Sequence, residues 1–276
     1  MDKSHQINSR FNPRQLLKAL DWTRASYVLL SSFLVMIFLI MYFWWPLVVD
    51  YWALYNPDLP FWRQMDWLLL GIFAFMSLAI MKGADIKVDL PIILAGFAGG
   101  FVIELWGTQT EIWTYYTFER PPLWIIPAWP IAALSIERIS ALLQPAFQRM
   151  TDKTIRRLYW GIYAFFFVLM LHFVAPTFGY SMTLLALILS AAIILTPTDH
   201  RKSVTLFLAG AGLGYFLELW GTTREAWQYY TLEAPPLFAV LAHGLASVAF
   251  WRTVILFKYM NSSILHRFRD RVLDKK

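Results

Sequence analysis

Two stretches of this chain set carboxylates at fixed offsets from indoles and phenols. ELWGTQTEIWTYYTFERPPL runs from Glu104 to Leu123, and ELWGTTREAWQYYTLEAPPL from Glu218 to Leu237. Acidic Glu104, Glu111 and Glu119 recur as Glu218, Glu225 and Glu233. Aromatic Trp106, Trp113, Tyr115 and Tyr116 recur as Trp220, Trp227, Tyr229 and Tyr230. A positioned carboxyl group can move a proton, and an ionised one accepts hydrogen bonds from indole N–H and phenol O–H. Glu104 and Glu218 are therefore the candidate catalytic residues. The eight aromatic residues, with Glu119, Trp129, Glu233 and His243, are the candidate ligand-binding set. Two plainer roles compete. The carboxylates could be held by Trp indoles or loop N–H groups, and the aromatic residues could form a membrane-interface belt.

The elements that must position these residues are read from composition. The chain has 276 residues, 58% of them hydrophobic, with a mean hydropathy of +0.50. Charged residues are 15%, against about 25% in soluble domains. Eight apolar runs, roughly 25–47, 66–82, 90–107, 122–144, 156–175, 179–196, 204–221 and 236–258, approach the ~20 residues of a membrane-spanning helix. The expected fold is all-α and polytopic. No cysteine is present, which excludes disulfides and thiolate chemistry. The net charge of +6 follows the positive-inside rule and is no sign of nucleic acid. Lys and Arg gather in the tail before residue 25, near Lys82 and Lys87, from Arg149 to Arg157, at Arg201 and Lys202, and after residue 258. This pattern predicts a multi-pass plasma-membrane protein with both termini cytoplasmic. The first span is too long and bulky for a cleaved signal peptide.

The repeat sets the organisation. Leu94–Arg138 aligns with Leu208–Arg252 without gaps, with identical residues at 21 of 45 positions. Four spans per unit is an even number, so the units are expected to be parallel, related by a pseudo-two-fold axis along the membrane normal. The predicted divisions are a basic tail 1–24, four-helix repeats 25–147 and 148–258, and a basic tail 259–276. The 48–65 loop is longer than its counterpart near 176–178. Starting from Lys87, Glu104 should lie about 25 Å along its helix at ~1.5 Å per residue, near the outer membrane edge. Gly96 and Gly100, with Gly210 and Gly214, have the small-xxx-small spacing that lets helices approach closely. Glu104, Thr108 and Glu111 share a face if the helix continues past Gly107. The two caps are expected to meet across the pseudo-axis. Arg138 and Arg252 read as snorkelling anchors.

The second unit departs from the first where Trp129 becomes His243 and Arg120 becomes Ala234. His243 and His172 are expected at similar depth. No nucleophile elbow, Walker loop, zincin motif or dinucleotide fingerprint is present, no short-range metal spacing appears, and no cofactor is specified.

An acidic residue closing a helix, then Gly, then W-x-Y-Y, P-P-L-W and P-A-W, resembles integral membrane proteins of carotenoid biosynthesis. The resemblance is to the carotenoid hydratase family and, more remotely, to lycopene-cyclase-type domains. It rests on Glu104, Gly107, Trp113, Tyr115, Pro122, Trp124, Pro127 and Trp129, with a second set from Glu218. It covers about 30 residues of each half, and the paired carboxylates of the cyclase type are missing. The resemblance implies acid–base chemistry on, or binding of, an isoprenoid or carotenoid-like lipid. A carboxyl group in low dielectric holds a proton that it can donate to a double bond, and aromatic faces stabilise a developing carbocation. Glu104→Gln and Glu218→Gln would then fold but lose turnover. Two other classes stay open: a non-catalytic subunit of a membrane complex binding quinone, haem or pigment, with His172 and His243 as haem candidates, and a transporter.

Overall fold

A computed structural model describes residues 21–273, with side chains described to Met260. The expected basic tail 1–24 falls almost wholly outside the described residues, as do the side chains of Arg267, Arg269 and Arg271.

Among the described residues there are nine α-helices and two short strands: α1 (Arg24–Phe43), α2 (Trp45–Ala53), α3 (Trp67–Met81), α4 (Ile86–Gln109), β1 (Trp113–Tyr115), α5 (Ala128–Gln148), α6 (Asp152–Val174), α7 (Ser181–Leu195), α8 (His200–Thr223), β2 (Trp227–Tyr229) and α9 (Leu237–Leu273). Single 3-10 turns lie at Phe61–Arg63 and Ala175–Thr177. The helix starts are written locally. Asp66, Asp85, Thr151 and Asp199 each accept a backbone N–H in the first turn of α3, α4, α6 and α8, and Thr23 forms a capping box with Ser26 at α1.

Among the described residues, five helices are long and apolar enough to cross a membrane: Arg24–Phe43, Ile86–Gln109, Asp152–Thr177, His200–Thr223 and Leu237–Met260. The other three expected spans differ for physical reasons. Helices α3 and α7 have 15 residues each, about 22 Å at ~1.5 Å per residue, short of a ~30 Å hydrocarbon core. Helix α5 carries Glu137 and Arg138 and buries eight residues in its first thirteen positions. It starts at Ala128, six residues past the expected edge at 122, because residues 122–127 form turns. Helix α9 continues past the expected end at 258 to Leu273.

Helix α8 is the centre of the packing, lying against α5, α6 and α9. The spaced glycines make those contacts close. A Cβ on Gly96 would stand 2.8 Å from Pro130 Cα, and one on Gly210 2.6 Å from the His243 carbonyl oxygen and Ser247 Oγ. Tyr159 and Tyr163 are buried between α6 and its neighbours, and their hydroxyls donate to the carbonyls of Ile194 and Ser203.

The arginines expected to snorkel are packed instead. Arg138 donates to both carboxylate oxygens of Asp89 at 2.7 and 2.8 Å, and Asp89 is fully buried. A buried carboxylate in an apolar bundle must find a cation, and Arg138 is one helix away. Arg252 donates to the Ile193 carbonyl and Thr196 Oγ1, closing the C-terminal end of α7. Glu137 pairs with Lys202 at 2.7 Å, so α5 is tied to α8.

Arg138→Leu strands Asp89 and should cost about 3–5 kcal/mol, whereas the double variant Asp89→Leu/Arg138→Leu should recover most of that loss. Melting in detergent checks both.

Candidate functional site

The two acidic segments fold into one hub. Helix α4 carries Glu104 inward and ends at Gln109. Glu111 (φ 58°) and Phe118 (φ 57°) adopt the left-handed conformation, as do Glu225 (φ 55°) and Leu232 (φ 57°) in the second unit. The first bend of each pair reverses the chain, so the strand runs back across the helix end. Residues two apart on a strand share a face, which turns Trp113 and Tyr115 together toward Glu104.

Glu104 is 3% exposed and accepts three bonds: from Trp113 Nε1 at 3.1 Å, the Tyr115 hydroxyl at 2.9 Å and Trp129 Nε1 at 3.0 Å. Glu218 is 5% exposed and has the equivalent partners: Trp227 Nε1 at 2.8 Å, the Tyr229 hydroxyl at 3.0 Å and His243 Nε2 at 2.9 Å. Gly107 and Gly221 admit the indoles of Trp113 and Trp227, because a Cβ at either position would come within 1.9 Å of the ring. Gly100 and Gly214 do the same for Trp129 and His243, with approaches of 2.3 and 2.6 Å.

The halves are joined at this point. Strand β1 pairs antiparallel with β2, setting Trp113 opposite Tyr229 and Tyr115 opposite Trp227. Both cross-strand ring pairs lie 5.8 Å apart. Trp129 and His243 stack at 5.6 Å, within 18° of parallel. The two caps thus meet, and four aromatic side chains serve their own carboxylate and the opposite strand at once.

The remaining candidates brace the rim. Trp106 Nε1 donates to Thr183 Oγ1, and Trp220 Nε1 to Asp66 Oδ2, so each reaches the start of a helix in the other half. The hydroxyls of Tyr116 and Tyr230 donate to the Phe43 and Phe173 carbonyls. Glu119 and Glu233 are exposed, and Glu119 accepts from Trp124 Nε1. Glu111 does not share the Glu104 face: α4 stops two residues earlier, and Glu111 pairs with Arg120 at the surface. His172 is exposed on α6.

Chemically, the hub is closed. Every oxygen of both carboxylates accepts a side-chain donor. An indole N–H cannot exchange its proton usefully, whereas His243 can take either role. The second half therefore has a proton-exchanging partner where the first has Trp129.

A cavity of about 650 Å³ lies beside the hub, lined by α1, α2, the 54–66 loop, α3, α5, α8 and β2. Trp220 and Trp227 face it; Glu104 and Glu218 do not. Its wall is apolar and aromatic except near Tyr51, Asn56, Gln64, Asp66 and Arg224. Asp66 Oδ2 accepts from Arg224 Nε at 3.0 Å as well as from Trp220. The sequence-based candidate set omits Trp44, Tyr51, Asp66 and Arg224. The signals that point to them are the extra length of the 48–65 loop and the basic residue at 224, where the first unit has Thr110. A second cavity of about 550 Å³ between α3, α5 and α8 is wholly apolar. Comparison with known protein families, curated proteins and solved structures finds no match, so nothing there bears on the resemblance to carotenoid-biosynthesis proteins.

Three donors on each carboxylate change the expectation for amide variants. In Glu104→Gln the amide N–H must face an indole donor on either side, which should lower stability by about 1–3 kcal/mol, seen as a lower melting temperature. In Glu218→Gln it can face His243 Nε2 as an acceptor, so the loss should be smaller. Burial, and behind it the charge of the carboxylate partner, pushes the Tyr115 and Tyr229 phenols well above the ordinary tyrosine range. In the unfolded chain these phenols ionise near pH ~10. Their stabilisation is therefore complete below that pH and lost as pH rises above it. Tyrosinate absorbance should leave these two unionised until the fold melts, and Tyr115→Phe should flatten the alkaline fall in melting temperature.

Proposed function

We propose that this chain is an eight-span membrane protein of two parallel four-helix units, in which the short α3 and α7 cross where the bilayer thins around them and α5 crosses with Glu137 and Arg138 paired inside the protein, and that it binds a long apolar lipid of the isoprenoid kind. The observation that carries the binding half is the 650 Å³ cavity, walled by apolar and aromatic side chains; two of its helices, α1 and α8, are long and apolar enough to cross a membrane. That volume falls within the ~300–1,000 Å³ of small-molecule sites. Binding is favoured over turnover at Glu104 and Glu218, because both carboxylates are saturated by protein donors and neither meets the cavity. The repeat reading is supported by matching bonds: each carboxylate has an indole nine residues on, a phenol eleven residues on and a ring nitrogen twenty-five residues on.

The basic loops carry the orientation. The chain has no cysteine, so single Cys probes at Lys153 and Gln228 report sidedness directly. In intact cells an impermeant maleimide should label Gln228→Cys and spare Lys153→Cys; the reverse pattern would invert the topology.

The binding test is mass spectrometry of the solvent extract of mildly purified protein, with its ultraviolet–visible spectrum. An isoprenoid-class lipid should be retained in stoichiometric amount. It should be lost from Ile131→Trp and Leu217→Trp, which fill the cavity. Phospholipid in bulk proportion alone would contradict the proposal.

A further inference from the structure

The polar end of the cavity narrows the ligand class, an argument that rests on the lipid-binding reading above. Trp44 lies between α1 and α2 and stacks on Trp220 at 5.1 Å, within 13° of parallel. The Trp44 side chain lines the cavity, and its Nε1 is buried with no hydrogen-bond partner among the described residues. An unpaired buried N–H is costly, and one that faces a cavity is satisfied by an acceptor placed there. Beneath this stack, Trp220 Nε1 and Arg224 Nε are both held by Asp66. Among the described residues Arg224 NH1 reaches only Thr223 Oγ1, at 3.3 Å, and the side chain is 34% exposed. The polar end thus offers donors.

Charge then decides among acceptors. Asp66 neutralises Arg224, and Tyr51 beside them senses Asp66, Arg224 and Glu225 together. No net positive charge remains for a phosphate or carboxylate head. Among the described residues the site also exists once. Its roof is the Trp44–Asp66 segment with α2, whereas the second half joins α6 to α7 through the short Ala175–Tyr180 link.

We infer that the cavity takes one lipid per chain, whose apolar body ends in a neutral acceptor oxygen, a carbonyl in the simplest case, held by Trp44 and Arg224.

The test uses the full chain in nanodiscs, titrated by tryptophan quenching with two polyisoprenoids of equal length, one a terminal ketone and one the bare hydrocarbon, and with the matching phosphate ester. The ketone should bind at least about tenfold tighter than the hydrocarbon, the order expected for one or two buried hydrogen bonds, at one per chain. Trp44→Phe removes the N–H together with part of the ring, and Arg224→Gln also breaks the pair with Asp66, so both are read as the ratio of ketone to hydrocarbon affinity, which each should shrink whatever happens to hydrocarbon affinity itself. Equal binding of ketone and hydrocarbon, or tightest binding of the phosphate, would overturn the inference and leave lipid binding standing. Binding of none of the three would overturn both.

Discussion

Two carboxylates buried in an apolar bundle must be satisfied by the protein itself, because water is not there to do it. Much of the architecture around Glu104 and Glu218 follows from that need. Three donors must converge on each group. The chain supplies them by ending α4 and α8 within two turns of the acid, bending through left-handed residues and returning as a strand whose alternate side chains are Trp and Tyr. The third donor comes from the first turns of α5 or α9. For two of the three rings in each half to fit, the helix surface must be bare, and glycine stands there: Gly107 and Gly100 under Trp113 and Trp129, Gly221 and Gly214 under Trp227 and His243. The strands left over pair with each other, so satisfying each acid also joins the halves.

Duplication accounts for the hub but not for the cavity. The hub uses matching residues at matching offsets, with the single exchange of Trp129 for His243, and those two rings stack on each other. The cavity depends on what is not duplicated: the long connection after α1, the Asp66 cap of α3 and Arg224 after α8. Trp220 and Trp227 belong to both, facing the cavity while bonded to Asp66 and Glu218.

The repeated segments, the glycine spacing and the acidic–aromatic candidates were legible in the sequence, because each is a local pattern with a fixed offset. The helices themselves were legible as apolar runs, although length alone separates α3 and α7 from the five that can cross a membrane. Partner choice was not legible. That Glu104 bonds Trp113, Tyr115 and Trp129 depends on a reversal set by φ at Glu111. The pairing of Arg138 with Asp89 depends on helix rotation, which a hydropathy profile does not hold. Two residues equivalent by alignment, Arg138 and Arg252, accordingly have different partners. Asp66 and Arg224 are 158 positions apart, and only the packed bundle brings them to one cavity wall.

The central claim is that the two acidic caps are a single cross-braced unit. A double-mutant cycle on melting stability with Glu104→Gln, Glu218→Gln and the combined variant tests it most directly. Contacting networks couple by about 0.5–3 kcal/mol, while independent sites add to within ~0.3–0.5 kcal/mol. The shared strand pair and the Trp129–His243 stack predict coupling in the first range, with the second substitution costing less once the first has loosened the hub. Strict additivity would mean that each carboxylate serves only its own half, and would contradict the account.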